Sequence, residues 1–144
     1  MAWRRVVFVV APLLVAGFIP VGAAQAGSGC RSGNPMANVW SPSRLHVVSS
    51  CTTVRGVVRS TKHEGDGDIH IEVRLSSGGH IRGEIVPADQ PGCTKGQRVR
   101  YGICTGAHLA TPKAGSVISM TGPKVKDTRD GGTEIHPVWQ IAKG

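Results

Sequence analysis

Apolar residues along this chain come in short, β-branched runs separated by glycine, proline and acidic turns, a rhythm that predicts strands rather than helices. Leu45, Val47 and Val48 lead into residues 53–59, a first long strand in which Gly56 predicts a bulge or bend. Residues 63–68 read as a turn by composition. Residues 69–75 alternate cleanly: Ile69, Ile71, Val73 and Leu75 face one way, and His70, Glu72 and Arg74 the other. After a turn at 76–79, residues 80–86 form a third strand with Ile81, Gly83 and Ile85 opposed to His80, Arg82, Glu84 and Val86. Residues 88–112 break the rhythm and read as a long loop with a short helical turn near Ala107. A fourth strand spans 116–122 and stops at Gly122-Pro123. A fifth spans 133–141, where Pro137 demands an edge or a bulge because it cannot donate to a ladder.

Five short strands, glycine bends and one long excursion between strands three and four match a small all-β Greek-key barrel of the oligonucleotide/oligosaccharide-binding (OB) type. A β-sandwich would need about seven strands. The first residues change the frame of this reading. Arg4 and Arg5, an apolar stretch over 6–19 broken by Pro20, and Ala24-Gln25-Ala26 have the three parts of a secretory signal. The stretch is too short for a membrane span, which takes roughly 20 residues. A lipid anchor at Cys30 is the alternative, but Gly27-Ser28-Gly29 lacks the leucine expected ahead of such a cysteine. The expected organisation is a signal peptide at 1–26, an irregular arm at 27–44 and the OB-like domain at 45–144, secreted and with no transmembrane segment in the mature chain.

Cleavage removes Arg4 and Arg5, which takes the net charge from +8 to +6, so the basicity belongs to the domain. All four cysteines, Cys30, Cys51, Cys93 and Cys104, lie beyond the signal. In an oxidising compartment they read as two disulfides, with Cys30–Cys51 and Cys93–Cys104 the favoured pairs because each closes a local excursion. The second pair would pin the loop between strands three and four. No C-x-x-C occurs, which argues against a cysteine zinc site.

Several strings carry a resemblance: Cys51-Thr52-Thr53-Val54-Arg55-Gly56-Val57-Val58, Lys62 through His70 with its Asp66-Gly67-Asp68-Ile69-His70, Glu84-Ile85-Val86-Pro87, Thr121-Gly122-Pro123, Asp127-Thr128, and Glu134-Ile135-His136-Pro137-Val138-Trp139. Over residues 45–141 the chain resembles a group of secreted bacterial proteins with an OB-like barrel. It departs from them at Gly132-Thr133, where Gly-Trp is usual, and at Lys124, where an aromatic is common. The resemblance implies the fold and no particular activity.

Two sets of residues could carry function. His70 with Glu72, and His136 with Glu134, form pairs on polar strand faces; two imidazoles and one or two carboxylates would suit a divalent metal with an open position for water. The structural alternative is that these groups hydrogen-bond to one another or to backbone. Arg55, Arg59, Lys62, Arg74 and Arg82 sit on or beside the first three strands, the usual binding face of OB barrels, and would suit an anionic polymer, nucleic acid or acidic lipid head groups. Residues 64–75 only superficially resemble a calcium loop, since Ile69 and Leu75 stand where glycine and an acid are required. No G-x-S-x-G nucleophile motif occurs. The leading expectation is a non-enzymatic binding module for an anionic ligand, without a cofactor. The alternatives are a metal-dependent hydrolase using His70 and His136, or a structural envelope protein.

Overall fold

The computed structural model describes residues 29–37, 39, 41–65, 67–86, 98–99, 102–103 and 109–144. The strands are β1 (Leu45–His63), β2 (Ile69–Leu75), β3 (His80–Ile85), β4 (Arg98–Val99), β5 (Gly102–Ile103), β6 (Val117–Asp127), β7 (Thr133–Ile135) and β8 (Gln140–Lys143). The helical element among the described residues is a 3-10 turn at Pro42–Arg44, and no helix there is long and apolar enough to cross a membrane. The signal segment and Cys93 and Cys104 lie outside the described residues, as does the helical turn expected near Ala107. Cys30 and Cys51 are disulfide-bonded with Cα atoms 5.8 Å apart, as expected from their spacing.

The main sheet runs β1-β2-β3-β7-β6-β8, and a further β1–β6 pairing closes a ring through five strands. Strand β1 makes that closure possible because it is 19 residues long. Its first part pairs with β6 and its last part with β2, both antiparallel; only Gly56 and Val57 have partners on both sides. At Gly56 the two backbones leave no room for a side chain: a Cβ there would sit inside contact with the Arg74 carbonyl. Bulges after Val47, Ser49 and Val58 add the twist that coiling a strand between two neighbours requires. The remaining closure is the parallel pairing of β3 with β7.

Two sequence expectations are corrected. The fourth strand does not stop at Gly122-Pro123 but continues as β6 to Asp127. Pro123 is tolerated because the β1–β6 register shifts between Ser49↔Lys124 and Thr52↔Gly122, so its missing N–H falls where the ladder is already interrupted. The fifth strand is two strands. After β7 the chain passes through a cis His136–Pro137 peptide and resumes as β8, paired with β6 alone. The intervening residues stay tied in: His136 N–H donates to the Pro123 carbonyl, Val138 N–H to Glu84 and Trp139 N–H to Thr121.

Inward-facing Val58, Ile69, Ile71, Val73, Ile81, Ile85, Ile118, Met120, Ile135 and Val138 fill the ring, with Leu109 added. This is the aliphatic core that the alternation of β2 and β3 predicts. A second, smaller cluster, Val39, Leu45, Val86 and Val125, forms between the arm and the ring. Two glycines face inward at tight contacts. A Cβ on Gly122 would meet the Pro137 carbonyl oxygen, which is backbone and cannot move aside, whereas one on Gly83 would meet the Met120 thioether at 2.6 Å, the adaptable end of a side chain. Gly122→Ala is therefore expected to cost about 1–3 kcal/mol in urea unfolding, and Gly83→Ala less. The reverse ranking would mean that Pro137 is not held against β6.

Candidate functional site

Register, not sequence proximity, builds the polar cluster. The turn closed by Leu75 N–H to the Gly79 carbonyl sets Arg74 opposite His80, and counting back from there puts Glu72 opposite Arg82 and His70 opposite Glu84. Lys62 pairs with His70 on the other side, and the parallel β3–β7 contact puts Arg82 beside Glu134. Two rows therefore cross the outer face of the ring: Ser60, Glu72, Arg82 and Glu134 in one, and Lys62, His70 and Glu84 in the other. His136, two residues beyond Glu134, extends the second row.

Glu84 is the centre of that second row. Its Oε1 lies 3.1 Å from His70 Nε2 and its Oε2 lies 2.8 Å from His136 Nδ1, so one carboxylate bridges both imidazoles. His136 Nδ1 also hydrogen-bonds Glu134 Oε1 at 3.2 Å. Glu64 Oε1 is 3.4 Å from His70 Nδ1 and 2.9 Å from Lys62 Nζ. Glu84, Glu134 and His136 are buried, at 3%, 3% and 1% exposure, and His136 Nε2 has no hydrogen-bond partner.

The electrostatics follow from that burial. Desolvation opposes charge on His136, yet the Glu134 hydrogen bond and the Glu84 contact outweigh it and hold the imidazole at about 9. Desolvation would raise Glu84, but its hydrogen bonds to His136 and His70 bring it well below the usual carboxylate range. Burial lifts Glu134 above its ordinary value against the pull of His136. The Glu84 hydrogen bond raises His70. At neutral pH the cluster is thus an imidazolium held between carboxylates.

A polar cleft of about 390 Å³ opens beside this cluster, lined by Ser41, Arg44, Glu64, Asp68, His70, Glu84, Arg129 and Asp130. Its wall is fixed by the arm: Arg44 pairs with buried Asp127 at 2.5 Å, and Thr128 donates its backbone N–H and its hydroxyl to the Arg44 carbonyl. Asp127 also caps the loop by accepting from Arg129 N–H at 2.7 Å.

The expected metal set of His70, Glu72, Glu134 and His136 is brought together only in part. His70 and His136 converge, but through Glu84. Glu72 is occupied elsewhere, accepting from Arg82 Nε at 2.8 Å. Glu84 and Asp68 were not in the expected set, although the tight 76–79 turn carried the register that pairs Glu84 with His70. The five expected cations also divide. Arg55, Arg59 and Arg74 are exposed on β1 and β2, whereas Lys62 pairs with Glu64 and Arg82 with Glu72. His46, His63 and His80 are exposed.

Fold and site together define an all-β protein whose five-strand ring carries a buried carboxylate–imidazole cluster on its outer face. No protein-family model and no curated protein matches the chain.

Proposed function

We propose that this protein is an exported binding module of OB-barrel type that takes an anionic polymer across the outer face of β1 and β2. Support for the architecture comes from the ring order β1-β2-β3-β7-β6 with its parallel β3–β7 pair, and from the use of the first strands as the binding face in OB barrels. The Cys30–Cys51 bridge and the signal-like segment at 1–26 support an oxidising, extracytoplasmic setting.

The observation that carries the ligand class is the exposed trio Arg55, Arg59 and Arg74. Val57 pairs with Arg74, so Arg55 lies two residues from that pair on the same side of the sheet. The bulge after Val58 sets Arg59 together with Ser60 opposite Glu72. A polymer carrying repeated negative charges could run along this edge, releasing counterions as it binds.

The test is retention on immobilised heparin and on single-stranded DNA over a salt series. The wild-type protein should be retained at low salt, and each arginine replaced should lower the salt slope by about 1. Lys62→Ala with Arg82→Ala should change it little, because both side chains already have carboxylate partners. An unretained wild-type protein, or an equal loss from the Lys62/Arg82 variant, would leave the structural-envelope reading in its place.

A further inference from the structure

We propose that Asp68, Glu84 and His136 form a binding site for one divalent first-row transition ion of the zinc type, opening on the cleft beside β2. Each residue offers one ligand atom to the cluster, and these atoms lie within 4.8 Å of one another. Ligands of a tetrahedral zinc ion sit roughly 3.4 Å apart, given metal–ligand bonds of about 2.0–2.2 Å. Closing the cluster onto an ion therefore takes side-chain adjustments of about an ångström.

A second observation is independent of the carboxylates. His136 presents a ring nitrogen to the cluster, it is wholly buried, and its Nε2 has no partner. Leaving a buried ring nitrogen unmet is costly. Zinc would take the place of the proton that makes the metal-free ring an imidazolium, and a histidine steadied by a carboxylate on one nitrogen, as Glu134 steadies Nδ1, while the other nitrogen binds the metal is the usual arrangement around bound zinc. His70 does the same for Glu84, fixing its Oε1 from the rim.

The donor set selects the ion. Two carboxylates alone would suit calcium, magnesium or manganese, but an imidazole favours a borderline ion such as zinc over those hard cations. Three protein ligands leave a fourth position, and the cleft that Asp68 and Glu84 line gives water access to it. This site is separate from the arginine edge, so retention on polyanions neither supports nor weakens it.

The experiment uses the exported protein, stripped with chelator and titrated calorimetrically with zinc and with calcium, then loaded with cobalt for absorption spectroscopy. One zinc per chain is expected, with no calcium response and with a cobalt d–d band showing nitrogen and oxygen ligation. Asp68→Asn should weaken zinc binding at least tenfold while thermal unfolding remains cooperative. His136→Ala is a poor variant here because it endangers folding, so Asp68→Asn carries the test. The combined His46→Asn, His63→Asn and His80→Asn variant, which removes exposed imidazoles, should bind as the wild type does. Absence of stoichiometric zinc uptake overturns the site. Uptake that survives Asp68→Asn but disappears with the three exposed histidines overturns it equally, since the ion would then be held at the surface.

Discussion

Replacing His136 with alanine will destabilise the protein by about 3–5 kcal/mol, the range seen when one member of a buried ion pair is removed. The size follows from what stays behind. Glu84 and Glu134 are both buried, and His136 Nδ1 lies 2.8 Å from one and 3.2 Å from the other. Without the imidazolium, two carboxylates face each other out of water and one must take up a proton or the site must open. The side chain is also 1% exposed, so a cavity adds to the loss. His70→Ala should cost clearly less, since that side chain is partly exposed and water can replace it. Equilibrium urea unfolding of wild type, His136→Ala, Glu84→Gln and the double variant would measure this directly. The double variant should be less destabilised than the sum of the singles, because Glu84→Gln removes the charge that His136→Ala strands. A loss under about 1 kcal/mol for His136→Ala would place it among ordinary surface changes and contradict the cluster.

Stability should be greatest between about pH 4.5 and 6.5 and should fall by about 3 kcal/mol as the metal-free protein is taken from pH 6.5 to about 9. His136 sets the alkaline limb. Its folded value of about 9 stands above its ordinary 6.5, so its contribution is fully present below 6.5 and is lost as pH rises through 9. Glu84 sets the acid limb. Its folded value is depressed from 4.5, so its contribution is present above 4.5 and is lost on acidification. These limbs describe one ion pair from its two partners and do not add. Glu134 acts in the opposite sense: burial raises it, so its protonation on acidification relieves some of the acid loss. His70, raised by Glu84, reinforces the alkaline fall. Unfolding midpoints in urea at pH 6, 7.5 and 9, with chelator present, would reveal the slope. A flat profile across that interval would mean that His136 is neutral in the folded protein.

Much of the ring was legible from local pattern. The alternation of 69–75 and 80–85 is a property of the strand itself, since successive side chains must point to opposite faces, and both strands formed with their apolar residues inward. The bulge or bend expected at Gly56 is not where β1 departs from regular pairing: the bulges follow Val47, Ser49 and Val58, and Gly56 instead marks where β1 changes partner. Cys30 and Cys51 were close enough in sequence to pair across the foot of the arm. Pro123 and Pro137 were less readable. Each forbids a ladder hydrogen bond, but whether a strand ends or continues depends on a neighbour being bulged at that point. β6 continues through one proline because β1 shifts register beside it, and the chain splits at the other.

By itself, then, the sequence determined which segments are extended, which faces are apolar and which residues carry charge, because those depend on chain geometry and side-chain chemistry within a few positions. Only the tertiary structure decided that His136 meets Glu84 and that Arg82 pairs with Glu72. Those contacts arise from registers across β2, β3 and β7, where a one-residue slip would turn every side chain to the other face. Burial then gives the contacts their force, since an imidazolium between two carboxylates has a raised pKa only where water cannot screen it.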